Sequence, residues 1–156
     1  MTMIDKLATF CTATSVAASA GTALIGSQID LSTLTSRPGA GQPVYLVILP
    51  TTEIITGGSA GTIRFELASD STASIATDAT ATVICASPTY ATDGTDANDA
   101  QLKVGNVILC QPIDVRRSER YLGIRCVTVT TTTTAGAITA FLTTNPAAYL
   151  AYPNAI

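Results

Sequence analysis

The stretch Ser59-Ala-Gly-Thr-Ile-Arg-Phe-Glu-Leu-Ala-Ser-Asp70 decides the fold class of this chain. After a glycine turn, the segment Thr62-Ile-Arg-Phe-Glu-Leu67 alternates between polar and apolar residues at every position. Because successive side chains of a strand point to opposite faces, Ile63, Phe65 and Leu67 fall together on one face. The pattern predicts a strand with one buried face and one face turned towards solvent or a partner.

Similar short runs, bounded by Gly, Pro and Asp, recur along the chain and predict further strands. The run Val44-Tyr-Leu-Val-Ile-Leu49 is continuously apolar, as expected for a strand covered on both faces. Residues 7–20 predict a turn or two of helix at most, because their many Thr and Ser residues are weak helix formers. The predicted strands are Ala23–Ile29, Pro43–Leu49, Gly61–Ala68, Ala81–Ala86, Asn106–Gln111, Tyr121–Thr131 and Ala137–Thr143.

About seven or eight such strands without crossover helices predict an all-β fold, a jelly-roll-like sandwich of antiparallel strands. The length of 156 residues fits a single domain. Within it we expect an N-terminal arm at residues 1–22 and an extended C-terminal tail at residues 144–156. Two polar stretches predict long loops, Thr92–Asp99 and Thr128–Thr134.

The composition narrows the classes of function. Hydrophobic residues make up 47% of the chain and charged residues only 12%, which suits a folded protein whose surface is partly buried in a larger assembly. A net charge of −3 argues against a general nucleic-acid binder. Apolar runs are too short for a membrane span. The segment Leu7–Ala20 is small and apolar and ends in residues that resemble a signal-peptide cleavage site. Because Thr and Ser interrupt this segment and Asp5 neutralises Lys6, we do not expect a signal peptide.

Catalytic and ligand-binding motifs are also missing from the sequence. With no histidine, a Ser-His-Asp or Cys-His arrangement cannot form. The glycines Gly57, Gly58 and Gly61 lack the Gly-Lys-Ser/Thr of a phosphate loop and predict a hairpin turn. The acids of Thr92–Asp99 lack the order of a calcium loop and predict a solvated loop. The spacing of the other acids singles out no catalytic pair: Glu53, Glu66, Asp70, Asp78 and Asp114. We therefore expect no enzyme activity, cofactor or metal.

The four cysteines are Cys11, Cys85, Cys110 and Cys126. No two form a Cys-x-x-Cys pair, and without histidine a structural zinc site is not expected. Cys85, Cys110 and Cys126 each lie in an apolar strand-like run, where free cysteine behaves as a small buried hydrophobe. We expect buried free thiols, and a disulfide stays open as the alternative because the compartment is not known.

A basic cluster in Asp114-Val-Arg-Arg-Ser-Glu-Arg-Tyr121 is the first candidate for a partner interface. Its arginines can make bidentate contacts to carboxylates of another protein. The alternative is a solvated face balanced by the neighbouring acids, with the last arginine serving the start of its own strand. We expect the tail to reach away from the sandwich, where its aromatic side chains can contact a neighbour; a tail without a partner is the alternative. The candidate interface residues are Arg116, Arg117, Arg120, Tyr149 and Tyr152.

The ordered set of turn-and-strand segments resembles a known family, the capsid cement or decoration proteins of tailed phages, typified by one from a Bordetella phage. The segments that carry the resemblance are Met3–Phe10, Ile29–Leu31, Arg37–Val47, Ser59–Asp70, Arg120–Arg125 and Thr134–Leu142. The resemblance implies a jelly roll that associates as homodimers on the outer surface of an HK97-type head. There it implies binding to the major capsid protein, bridging of capsomers and stabilisation of the shell against internal DNA pressure.

The same resemblance implies a location on the virion and no small-molecule substrate, nucleic-acid or membrane partner. Two other classes of function stay open. One is a carbohydrate-binding or adhesive β-sandwich, although the chain has no Trp and only 5% aromatic residues. The other is a secreted domain held by disulfides.

Overall fold

In a computed structural model the chain folds into two antiparallel β-sheets that pack face to face. The structure describes residues 8–33, 41, 43–58, 60–92 and 100–149, without the side chain of Arg117. Its strands are β1 (Thr9–Ser15), β2 (Gly21–Asp30), β3 (Val44–Thr56), β4 (Gly61–Asp70), β5 (Thr82–Ala86), β6 (Tyr90–Thr92), β7 (Leu109–Ile113), β8 (Tyr121–Val129) and β9 (Thr133–Thr143).

The strand order is that of a jelly roll. Sheet A has the order β1-β9-β3-β7, and sheet B has the order β2-β8-β4-β5, with β6 also paired to β4. Successive strands lie in opposite sheets except for β4, β5 and β6, so the chain winds around one core as two interleaved Greek keys. The predicted jelly-roll-like sandwich is confirmed.

The core lies between the sheets and is formed by alternate residues of the strands. In β4, Ile63, Phe65 and Leu67 are fully buried, as the alternation predicts. Leu46 and Ile48 of β3 face them from sheet A and are equally buried. Each large apolar side chain removed from water in this way contributes roughly 1.5–3 kcal/mol. A shift of one residue would turn these side chains to the outer face, so their burial fixes the register of the strands.

The N-terminal region joins the sandwich, so the helical turn predicted for residues 7–20 is wrong. Residues 9–15 form β1, which pairs with β9, and β2 begins at Gly21. The expected arm at 1–22 is therefore part of the sandwich from Thr9 onward, with β1 in sheet A and the first residues of β2 in sheet B. Burial of Phe10 against the core and the strand preference of Thr outweigh the weak helical propensity of the segment.

The threonine run is also mostly strand, which corrects the predicted long loop at Thr128–Thr134. β8 continues to Val129 and β9 begins at Thr133, so only residues 130–132 connect them. Thr128 and Thr133 are buried, and their hydroxyl oxygens lie 2.9 Å apart in a hydrogen bond. β-branched Thr suits a pleated strand, and its hydroxyl can be paired inside the fold.

The glycine-rich connection after β3 is not a hairpin, because β3 and β4 belong to different sheets. It carries the chain across the end of the sandwich. At its end, Gly61 lies against Thr56, and a Cβ at position 61 would come within 2.0 Å of the Thr56 hydroxyl oxygen. That hydroxyl is itself hydrogen bonded to Thr92, the last residue of β6. Thr92 is thus buried rather than the start of a solvated loop, whose residues 93–99 lie outside the described chain.

Candidate docking surfaces

The edges of both sheets are irregular. β1, β2 and β5 each contain a shift in register. β7 has a regular register but contains Pro112, which has no N–H to offer a new strand. Bulges and edge prolines are the devices by which sandwiches resist edge-to-edge pairing. The faces and ends of the sandwich are therefore the candidate docking surfaces.

Arg116 lies at the end of the sandwich where β7 gives way to a short 3₁₀ turn, Val115–Arg117. Asp114 caps this turn by accepting the N–H of Arg116 at 3.1 Å. The same carboxylate accepts Nε and Nη2 of the Arg116 guanidinium at 3.0 and 3.2 Å, and this raises the pKa of Arg116. The Arg116 side chain is 84% exposed. A screened surface pair of this kind is weak, so Arg116 is available to an external carboxylate.

Arg120 is already engaged within the domain. Its Nε and Nη2 donate to the two carboxylate oxygens of Asp30 at 3.1 and 2.8 Å, and its guanidinium lies 4.9 Å from the ring centre of Tyr121. Its hydrogen bonds hold the pKa of Asp30 well below its usual range. The backbone C=O of Arg120 also accepts the N–H of Leu31 at 2.9 Å. Arg120 thus ties the end of β2 to the start of β8, which was the alternative interpretation of this residue.

The described start of the tail folds back on its own domain. The N–H of Tyr149 donates to the carbonyl oxygen of Pro146 at 2.8 Å, which closes a turn. The Tyr149 ring then packs edge-on against Phe141 with ring centres 5.2 Å apart. Phe141 pairs with Val47 across sheet A, and both are buried although they face away from the core. Tyr149 therefore covers an outer face instead of reaching away from it. Tyr152 lies outside the described residues.

A buried ionic cluster on the outer face of sheet B was not predicted from the sequence. Arg125 of β8 donates Nη2 and Nε to Glu66 of β4 at 2.6 and 3.2 Å, and both side chains are almost fully buried. Arg64 lies two residues before Glu66 on the same face of β4, and it donates to the other carboxylate oxygen of Glu66. The sequence does carry a signal: Arg125 stands in the apolar run of β8, where a buried charge requires a partner.

The remaining donors of Arg125 hold residues 71–81, which we call the strap, across this face. Nη1 of Arg125 donates to the carbonyl oxygens of Ala76 and Asp78, both at 3.0 Å. Ile75 of the strap is buried against Gly123, where a Cβ would lie 2.5 Å from the Ile75 side chain. The predicted solvent-facing side of β4 is thus covered at Glu66.

Asp70 and Asp78 fix the backbone of the strap from its two sides. Asp70 accepts the N–H groups of Ala76 and Thr72 at 3.0 and 3.2 Å, and these bonds lower its pKa. Asp78 accepts the hydroxyl and the N–H of Thr80, which lower its pKa in the same way. The strap is therefore an ordered part of the surface.

Beyond the strap, no segment of the described residues lies across the outer face of sheet B, and the side chains there are half-buried or exposed. We call this part the open patch, and it consists of Thr22, Thr62, Arg64, Val127 and Val129 on three neighbouring strands. Val127 stands between Thr22 and Arg64, and Val129 stands opposite Thr62. Val129 is 53% exposed. Arg64 is the single charged side chain of the open patch.

All four cysteines are free thiols in the structure, as predicted, but only Cys11 and Cys126 are buried, whereas Cys85 and Cys110 are half-buried. Burial raises the pKa of Cys85 and of Cys126 to about 11. Burial also raises the pKa of Cys11 and Cys110. Thiols with raised pKa values stay protonated near neutral pH and react slowly.

The part of the chain that the structure describes has none of three features typical of metal-binding, membrane-spanning and sugar-binding proteins. Within it, no three His, Cys, Asp or Glu side chains are placed to hold a metal ion. None of its helices is long and apolar enough to cross a membrane. Its aromatic side chains are all buried or half-buried, so it presents no fully exposed ring for stacking on a sugar.

A model of the family Bbp16 matches residues 10–142, from the second residue of β1 to the last but one of β9. The name of the family points to a Bordetella phage protein, in agreement with the resemblance seen in the sequence. No curated protein matches the chain.

Proposed function

The chain belongs to the Bbp16 family, and from this premise we propose that it is a capsid cement protein. In this role it binds the outer surface of an HK97-type phage head through the major capsid protein, bridges neighbouring capsomers and stabilises the shell. The observation that carries the proposal is the family match over residues 10–142, and the jelly roll agrees with the fold that the resemblance to cement proteins implies.

The physical logic of this role is mass action. A protein that binds the assembled shell but not its separated subunits stabilises the shell by its own binding free energy. Many copies multiply a modest contact energy, and a homodimer that spans two capsomers gains from effective concentration. We propose that the chain acts as a homodimer, located on the virion, with a structural and not a catalytic role.

Three features of the domain support the proposal. The core and the strap make a rigid scaffold, so little conformational entropy is lost on binding. The irregular edges keep free copies from pairing strand to strand before they reach the head. Arg116 is exposed and held only by a weak surface pair, so it can exchange Asp114 for a carboxylate of the shell. We retain Arg117 and Tyr152 as proposed contacts on the strength of the sequence alone.

The experiment that tests the proposal is co-sedimentation with heads of the phage that encodes the chain. Expanded and unexpanded heads lacking the protein are each mixed with increasing amounts of it and pelleted. We expect saturable binding to expanded heads, with the copy number given by the plateau. Failure to bind either form of head would contradict the proposal, and glycan binding without head binding would replace it with the adhesive alternative.

A further inference from the structure

The outer face of sheet B is divided into a covered half and an open half. In the covered half, the strap places Ile75 on Gly123 and offers two backbone carbonyl oxygens to Arg125. The open patch combines an apolar surface at Val127 and Val129 with an arginine, Arg64, beside it, and no segment among the described residues covers it. The strap is therefore an example of the kind of segment that fits the open patch: an extended chain with an apolar side chain and oxygen acceptors for an arginine.

The open patch is well suited to permanent burial. Its threonines and valines are short side chains that lose little rotamer freedom on ordering. The cores of protein interfaces are depleted of charged residues, and Arg64 is the single charge here. Val129 is among the few large apolar side chains that the described surface exposes, with Val83 and Val104.

Arg64 supplies a second, independent observation. Its side chain is 42% exposed, so its guanidinium can be reached from solvent. Its guanidinium also shares the single carboxylate of Glu66 with Arg125, so the three side chains together carry one surplus positive charge. A surplus positive charge on a half-exposed guanidinium next to an apolar surface is complementary to an acceptor oxygen, most strongly a carboxylate.

We propose that the open patch is the surface that docks on the head, and that its occupant is an extended segment of the shell protein. This segment lays a small apolar side chain over Val127 and Val129 and presents a carboxylate or carbonyl oxygen to Arg64. The inference rests on the proposed function and adds to it the docking surface and the chemistry of the segment bound there.

Val129→Asp tests the proposal in the same sedimentation assay. The new carboxylate competes for Arg64, repels an incoming carboxylate and removes the apolar contact. We expect the dissociation constant for expanded heads to rise by about tenfold or more. Val104→Asp is the matched control, because Val104 is 60% exposed, lies outside the patch and receives the same substitution. Equal melting temperatures for both variants would show that the folds are comparable.

A photo-crosslinking amino acid at position 62, with position 104 as control, identifies the occupant directly. We expect position 62 to crosslink to the shell protein when decorated heads are irradiated, and position 104 not to do so. Three results would overturn the assignment while leaving head binding intact: unchanged binding by Val129→Asp, equal losses in both valine variants, or crosslinks from position 62 only to a second copy. Failure of the wild-type chain to bind heads would instead refute the proposed function, and this inference with it.

Discussion

Replacement of Arg125 by Ala probes the feature that organises the outer face of sheet B. The substitution removes both hydrogen bonds to Glu66 and both bonds to the strap carbonyls. Breaking a buried ion pair from one side costs about 3–5 kcal/mol, since the remaining charge is left without its partner. Arg64 still donates to Glu66, so we expect the lower end of that range, about 3 kcal/mol.

The free energy of unfolding is best measured by urea denaturation, with the melting temperature as a second readout. For a chain of this size 1 kcal/mol corresponds to about 2–4 °C, so the melting temperature should fall by roughly 6–12 °C. Hydrogen exchange should accelerate most across residues 71–81, because the strap loses its anchor. Arg116→Ala is the control, since it removes an exposed pair and should leave the free energy of unfolding nearly unchanged.

A double variant separates the ion pair from the loss of side-chain volume. Glu66→Leu with Arg125→Met replaces both charges by apolar groups of similar size, and such replacements are often neutral or stabilising. We expect it to regain only part of the stability lost in Arg125→Ala, because the strap carbonyls of Ala76 and Asp78 still lack their donor. A loss below about 1 kcal/mol for Arg125→Ala would refute the reasoning, because the pair would then be solvated like a surface pair.

Other predictions concern the core, the stability at low pH and the basic cluster. Phe65→Ala should cost about 3–5 kcal/mol in urea unfolding because Phe65 is fully buried, and a loss below about 1 kcal/mol would contradict the register of β4. The hydrogen bonds of Arg120 depress the pKa of Asp30, so their stabilisation is present above the unfolded pKa of about 3.9 and is lost as the pH falls through the lower folded value. The melting temperature should therefore decline below about pH 4, and less steeply in Asp30→Asn; equal slopes would show that the pair does not stabilise the fold. Arg116→Glu combined with Arg117→Glu should weaken sedimentation with heads at an unchanged melting temperature, whereas unchanged head binding would identify the cluster as ordinary surface.

The fold class follows from the sequence because alternation and turn residues act locally. The pattern around Phe65 assigns the buried face of β4 correctly, and the apolar run from Val44 predicts a strand covered on both faces. The errors lie where local propensity is weak. Thr9–Ser15 and the threonine run gain their structure from pairing with distant strands, and no pattern within either segment reports that pairing.

The candidate surfaces depend still more on long-range register. Arg120 and Asp30 are 90 residues apart, and Arg125 and Glu66 are 59 residues apart. Nothing in a single sequence specifies that β8 lies between β2 and β4, which is what brings both pairs together. A lone arginine in an apolar strand predicts that a buried acid exists, but the register is needed to identify it. The same register divides sheet B into its covered and open halves.

The release of DNA from heated heads shows whether the chain stabilises the head shell. Heads lacking the protein are titrated with it, and the temperature of DNA release is followed by dye fluorescence. Mass action predicts that this temperature rises with occupancy and continues to rise slowly with free protein above the dissociation constant. Saturated heads that release DNA at the same temperature as bare heads would contradict the account, because the chain would then bind the shell without stabilising it.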